Sequence, residues 1–326
     1  MAWMTRIALL IGLAVLALGG RASADDYPTR AITVIVPYAA GGPTDTLARL
    51  IGQAMGKTLG QTILIEDVGG AGGTLGAAKA AQAPPDGYVL LLHNTAQATA
   101  VALYRSLPYD PVTDFEPIGQ VADVPQTIVA RPNFPANDLK GLIAQIKAQQ
   151  DKLSYGHAGI GSAAHLCGML LSSTLGVEMT SVAYRGTGPA LNDLMAGQID
   201  LLCDQTTNTV PQIRAGKIKA YAVTTKTRVA ALPDLPTADE AGLPGFEVFV
   251  WHGLYAPKGT PMPIIDKLVG ALQTALKDET VIKRLSELGA QPVSPERATP
   301  DGLRAHLKAE IARWTPIIKA AGVYAN

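Results

Sequence analysis

The stretch "VPYAAGGPTDTLAR", Val36–Arg49, decides how the chain is read. A β-branched run, "AITVIVPY" (Ala31–Tyr38), predicts a buried strand. It turns through Gly41–Gly42 into a helix that opens on Pro43, Thr44 and Asp45 and carries Leu47, Leu50, Ile51, Ala54 and Met55 on one face. Gly60 is placed to stop that helix. A strand that turns through glycine into a helix N-terminus is a ready-made anion cradle. A nucleotide phosphate loop would follow its glycines with a lysine, and this stretch has none. Tyr38, Ala39, Ala40, Gly41, Gly42 and Thr44 are therefore candidates for holding a different anion.

The same unit recurs along the chain. "TILIEDV" (Thr62–Val68) precedes "GGAGG" (Gly69–Gly73), and "YVLLLHN" (Tyr88–Asn94) ends in Asn94 and Thr95. After an extended segment at Pro117–Pro132, "KLSYGHAG", "MTSVAYRG", "QIDLLCD" and "IKAYAVTT" continue the alternation, and Phe246–Pro257 is a second long extended segment. Alternating strand and helix of this kind predicts open, mainly parallel sheets. Two α/β lobes with chain crossings near residues 125–131 and 248–254 are the simplest arrangement, closed by two amphipathic helices. One of these carries Ile265, Leu268, Leu272 and Leu276, the other Leu303, Leu307, Ile311 and Trp314. Ligands of such sheets bind at the carboxyl ends of strands, here the Gly-, Ser-, Thr- and Asn-rich turns. Those turns should be too crowded to accept side chains, so Gly42→Val or Gly72→Val is expected to abolish binding.

The first residues look like a secretory signal: Arg6, an apolar run from Ile7 to Leu18, and Ala22-Ser23-Ala24. Cleavage is expected after Ala24, with no cysteine there for a lipid anchor. Without Arg6 and Arg21, 25 basic residues face 27 acidic ones, a net charge of −2. That balance gives no basic patch for nucleic acid and no polybasic arm for lipid. An exported, periplasmic protein of two domains is expected.

"YGHAGIGSAAHL" (Tyr155–Leu166) is the most informative stretch of the second half. Gly159-Ile160-Gly161-Ser162-Ala163-Ala164 fits a dinucleotide fingerprint, but the acidic residue wanted about 20 positions on is missing, since Glu178 comes too early. The preferred reading makes Ser162 a helix N-cap facing a carboxylate, beside His157, Ala158, Gly159 and His165. A hydrolase would need Ser162, His165 and Asp204 to converge, without any G-x-S-x-G elbow in the chain. No cofactor is expected, and no metal: the five histidines and two cysteines show no convincing ligand spacing. Arg185, before Gly186 and another Gly-rich helix start, would pair with a ligand carboxylate or form a rim charge. Asp204 ends a strand that should point at the cleft, and Trp251 lies in the second crossing, as hinge packing or as a site wall. Cys167 and Cys203 read first as two small buried side chains, with a bridge as the alternative.

In order, "YPTRAITVIVPYAAGGPTDTLAR", "EDVGGAGGTLGA", "YGHAGIGSAAHL", "VAYRGTGPALNDLMAGQID", "IKAYAVTT" and "WHGLYAPKGTP" resemble one family: the substrate-binding proteins of tripartite tricarboxylate transporters, also called the Bug family. The resemblance runs from about Tyr27 to the C-terminus. It implies a type II periplasmic binding-protein fold, a Venus flytrap of two α/β lobes joined by two crossing strands. Lobe I would comprise residues 25–125 and 251–326, and lobe II residues 126–250. Carried over position by position, the ligand contacts fall on Tyr38 to Thr44, Gly70, Ala71, Gly72 and Gly73, His157 to Ser162, Arg185, Gly186 and Asp204. His157 stands where Ser is frequent and Arg185 where Lys is. The implied function is a non-enzymatic, monomeric receptor with no membrane anchor. It would deliver a C4–C6 dicarboxylate to a large and a small membrane transporter subunit. An exported Ser hydrolase and a binding protein feeding a membrane sensor kinase are the alternatives.

Overall fold

The computed structural model describes residues 26–322, 324 and 325, so the expected signal segment and its cleavage point lie outside the described residues. β1 (Ile32–Val36) is buried on both faces, as a β-branched run at the centre of a parallel sheet should be. α1 (Pro43–Leu59) starts with Pro43, whose fixed φ and missing N–H suit the first turn, and it ends where Gly60 turns left-handed at φ 68°. β2 (Ile63–Asp67) follows; then a tight turn through Ala71–Gly73 leads into α2 (Thr74–Ala81). β3 (Val89–Asn94) and α3 (Ala96–Leu103) complete this half, with β1 hydrogen-bonded in parallel between β2 and β3.

The second half repeats the scheme. α4 (Leu139–Gln149), β5 (Ser154–His157), α5 (Ala163–Leu175), β6 (Thr180–Ala183), α6 (Thr187–Met195), β7 (Leu201–Gln205), α7 (Thr206–Arg214) and β8 (Lys219–Val223) follow one another. Here β5 lies in parallel between β6 and β7. The two parallel sets are joined by β4 (Phe115–Ala130) and β9 (Phe249–Pro257), giving the order β2-β1-β3-β9-β4-β7-β5-β6.

The joined sheet is therefore mixed, because β4 and β9 run antiparallel to their neighbours. β4 has 16 residues and spans roughly 50 Å at the rise of a strand. Its first part pairs with β9, and its last five residues pair with β7 and β8. One strand is thus shared by both lobes, which gives a hinge with continuous backbone hydrogen bonding.

Each lobe has its own core. Leu47, Met55, Leu90, Ile118, Leu254 and Leu268 fill one face of the first lobe, and Ile35, Leu91, Trp251 and Tyr255 fill the other. Phe134, Leu142, Tyr155, Leu171 and Tyr221 fill the second lobe. Cys167 and Cys203 lie in that same core and are bridged, with their Cα atoms 6.1 Å apart, which corrects the preferred reading of two separate small side chains. The cause is tertiary: α5 packs directly on β7, a juxtaposition that a separation of 36 residues does not announce.

Three helices, not two, close the chain: α8 (Met262–Lys277), α9 (Glu279–Glu287) and α10 (Pro300–Ala321), with β10 (Gln291–Pro292) between the last two. α9 buries Val281 and Leu285 and is started by Asp278, whose carboxylate accepts from the amides of Thr280 and Val281. Val281, Leu285 and Leu288 recur at i, i+4 and i+7, so the apolar stripe and its Asp278 cap stand in the sequence, although the expectation of two closing helices passed over them. Among the described residues no helix is long and apolar enough to cross a membrane.

Candidate functional site

The strand ends of the two lobes face each other. Between them is a small cavity of about 20 Å³ lined by Tyr38, Pro43, Thr44, Asn94, Gln126, Ala158, Ser162, Ala163, Ala164, Thr187, Asp204 and Gln205. That is room for about one water, so an organic acid enters only if the lobes part. A larger groove of about 520 Å³ opens elsewhere, past Asp123, Arg228 and Arg297, but it lies off the strand ends where parallel sheets present helix N-termini.

Helix geometry explains what the cavity attracts. Pro43 and Thr44 begin α1, Ala163 and Ala164 begin α5, Thr187 begins α6, and Gln205 is the residue before α7. Four helix N-termini therefore converge on one small space. First-turn amides have no intrahelical acceptor, and the macrodipole puts roughly half a positive charge at each N-terminus. Among the described residues lining the cavity there is no Lys, Arg or His. The site is positive by backbone rather than by side chain.

Ser162 is the N-cap of α5, as expected, with Oγ accepting from His165 N at 3.2 Å. An accepting hydroxyl keeps its own hydrogen for a ligand oxygen in the cavity. On the opposite wall Tyr38 donates to Asn94 Oδ1 at 3.0 Å, and Asn94 Nδ2 donates to Thr44 Oγ1 at 3.4 Å. The Thr44 hydroxyl then meets His252 Nε2 at 3.3 Å. Burial holds His252 neutral, its pKa pushed down to about 3, so the ring closes this hydrogen-bonded chain without bringing a positive charge.

Asp204 is buried at the end of β7. Asn208 Nδ2 donates to its Oδ2 at 2.5 Å, and the Gln205 amide and Thr187 hydroxyl also favour its charged form. Burial outweighs these bonds and raises its pKa to about 6. The Gln205 carboxamide oxygen beside it is buried without a protein partner.

Of the residues expected in the site, Tyr38, Thr44, Asn94, Ala158, Ser162 and Asp204 line the cavity. A second group forms the seam between lobes instead. Ala39 N donates to Arg185 O at 2.9 Å, and the Gly42 turn packs near Gly188. Gly41 N is taken by Asp45 Oδ2 at 2.9 Å, so that amide serves the turn itself, while Ala40 is exposed. Ala71 and Gly72 press on Gly159 and Ile160, Gly70 packs beside Leu75 of its own lobe, and the Tyr104 hydroxyl lies between Ala71 O at 2.6 Å and Ile160 O at 3.0 Å. Gly186 abuts Ala39.

The remaining expectations sit outside the cavity. Thr95 is buried at the start of α3. Arg185 faces the cleft with its carbonyl, and its exposed guanidinium does not line the cavity. His157 is held by Ser181 Oγ at 2.6 Å and stacks edge-on against His165, whose Nδ1 accepts from Gly161 N. Trp251 is fully buried, and its Nε1 donates to Glu310 Oε2 at 3.1 Å, so it fills the first lobe's core against α10.

Among the described residues no His ring nitrogen bonds the Ser162 hydroxyl, as a nucleophile's base would. No group of three His, Cys, Asp or Glu side chains there is arranged to hold a metal. Sequence reading missed Gln126, a fully buried glutamine on β4 whose Nε2 donates to Ala163 O at 3.4 Å. A glutamine inside the apolar run "VPQTIVA" was the available signal.

Comparison with known proteins bears on the family and the fold. Residues 47–323 match the profile of the tripartite tricarboxylate transporter family receptor, TctC. The chain belongs to this family. Among solved structures, the periplasmic binding protein BugD is 51% identical, superposes with a TM-score of 0.90, and is covered in full by 92% of this chain. MatC from Rhodopseudomonas palustris with bound malate is 46% identical, with a TM-score of 0.86 over 90% of this chain and all of that one. An R. palustris protein with adipate is 37% identical, with a TM-score of 0.87 over 92% of this chain and 99% of that one. The fold of this TctC-family chain is that of the type II periplasmic binding proteins, two α/β lobes on crossing strands.

Proposed function

We propose that this chain is a periplasmic receptor that closes on a C4–C6 dicarboxylate and delivers it to the large and small membrane subunits of a tripartite tricarboxylate-type transporter. The observation that carries this reading is the convergence of four helix N-termini on a cavity with no basic side chain among its described lining. Amides and hydroxyls suit one carboxylate at a time, whereas a trianion would place its third charge near Asp204 without a counter-ion. Malate in MatC and adipate in the R. palustris relative support the same ligand class.

In this reading lobe I comprises residues 25–125 and 251–326, lobe II residues 126–250, the leader is removed after Ala24, and the receptor acts as a monomer without enzymatic turnover. The ligand set is Tyr38, Thr44, Asn94, Ser162, Asp204 and Gln205, with the glycine seams closing over it. Thermal melting of refolded protein tests the assignment: malate, succinate or adipate should raise the melting temperature, and citrate and free amino acids should do little. Stabilisation by citrate alone would overturn the dicarboxylate assignment.

A further inference from the structure

The cavity has an acidic wall with nothing cationic to balance it. Among the described residues no Lys or Arg pairs with Asp204, and its polar partners are Asn208, Thr187 and the Gln205 amide. From β5 the titratable group near it is Tyr155, itself buried, while β4 brings Gln126 and Thr127, which are neutral. α5 contributes Ser162 to the cavity and, farther round, His165 against His157 of β5. From the other lobe the facing groups are Tyr38, Thr44 and Asn94. Cys203, the preceding residue, is bridged to Cys167 and does not titrate.

A dicarboxylate drawn in by the helix N-termini brings two negative charges into a closed space that holds a third. Two carboxylates that share a dry site cannot both stay ionised, and one of them binds a proton. We propose that Asp204 takes up one proton from solvent when a dicarboxylate is enclosed, and that its new O–H is shared with a ligand oxygen. This rests on the dicarboxylate-receptor reading above. The balance is simple: buffer loses a proton, Asp204 gains an O–H bond, and nothing else is made or broken. Asp204 is already poised for this, since burial places its pKa at about 6 before any ligand charge arrives. The residue would thereby set specificity as well, favouring ligands with an acceptor at that wall over those with an ammonium when the pH falls.

The test is calorimetric titration of succinate and of malate into the wild-type protein at pH 7.5, in phosphate and in Tris, whose ionisation heats differ. The difference in apparent heat should correspond to uptake approaching one proton per ligand, and affinity should strengthen by up to about tenfold per pH unit from pH 8 toward 6. Asp204→Asn should abolish the uptake, flatten the pH profile and bind succinate at pH 8 about tenfold or more tightly than wild type. His165→Gln should keep the uptake. Succinate binding with equal heats in the two buffers would overturn the proposal and leave the receptor reading standing. Uptake that survives in Asp204→Asn, or is lost in His165→Gln, would put the proton on the histidine pair and overturn it too. Should neither acid bind the wild type at pH 6 or 8, the dicarboxylate reading falls and the proposal with it.

Discussion

Ser162 can use one hydroxyl twice: its oxygen caps α5, and its hydrogen is left free for a ligand in the cavity it lines. Ser162→Ala should therefore cost stability and affinity separately. Loss of the cap is worth about 1 kcal/mol, and loss of a bond to a charged ligand about 1.5–3 kcal/mol. Urea unfolding and calorimetry with succinate would read the two, and an unchanged dissociation constant would remove Ser162 from the site. The glycines divide in a way their sequence does not show. A Cβ on Gly72 would stand 2.0 Å from the Ile160 carbonyl oxygen of the facing lobe, at a φ of +62°. A Cβ on Gly42 would meet nothing nearer than 3.5 Å, in extended backbone. Gly72→Ala should lower affinity at least tenfold by holding the lobes apart, while Gly42→Ala should bind nearly as wild type, and only the larger Val at that position would crowd Gly188 and Thr187. Calorimetry on the pair, with native circular dichroism as control, decides it.

Among the elements, α5 and β7 carry Ser162 and Asp204, and the Cys167–Cys203 bridge ties those two elements together. A cross-link that closes a loop of this length stabilises by about 2–4 kcal/mol, chiefly through the unfolded chain. Cys203→Ala should lower the unfolding free energy by that amount and also weaken succinate binding, because it loosens two walls of one cavity. A melting temperature unaffected by reductant would show the bridge to be energetically idle. The seam between lobes rests on α3 and its end: Thr99 donates to Gly161 O at 3.1 Å, and Leu103 packs with Leu166 and Trp314. Tyr104→Phe removes the hydroxyl shared by Ala71 and Ile160 and should weaken ligand binding by about 1 kcal/mol, read as faster ligand release.

At the scale of the whole molecule, buried titratable groups oppose one another. His93 and His252 are fully buried, and burial presses both pKa values down to about 3. The unfolded chain binds protons on them below pH 6.5 while the native state does not, so stability is present above 6.5 and is lost as pH falls. At pH 5 that is about 2 kcal/mol for each histidine. Asp204 acts in the other direction, because its raised pKa of about 6 makes the native state bind the proton first. Its contribution is present at low pH and lost as pH rises through 6, worth about 1.4 kcal/mol between pH 7.5 and 5. The histidines win, so the ligand-free protein should melt lower at pH 5 than at pH 7.5. In the Asp204→Asn variant that fall should be steeper, which differential scanning calorimetry would show.

The amino-acid sequence by itself determined the elements that hold the site. Strand propensity, the position of Pro43 and Gly60, the N-cap at Ser162 and the repeated strand–turn–helix order are local signals, and each appears where its spacing puts it. Tyr38, Thr44, Asn94, Ser162 and Asp204 were legible because they end strands or begin helices, and such positions face the cleft in any parallel α/β lobe. What required tertiary structure was everything set by contact between distant segments. The Cys167–Cys203 bridge, Gln126 in the cavity wall and the antiparallel course of β4 and β9 depend on which element packs on which. So does the outcome at Arg185 and Trp251: one is exposed and the other fills the first lobe's core, although both stand in cleft-facing motifs. Side-chain direction at a turn is decided by the neighbour it meets. For Gly72 that neighbour is a carbonyl on the other lobe, 88 positions farther along the chain at Ile160.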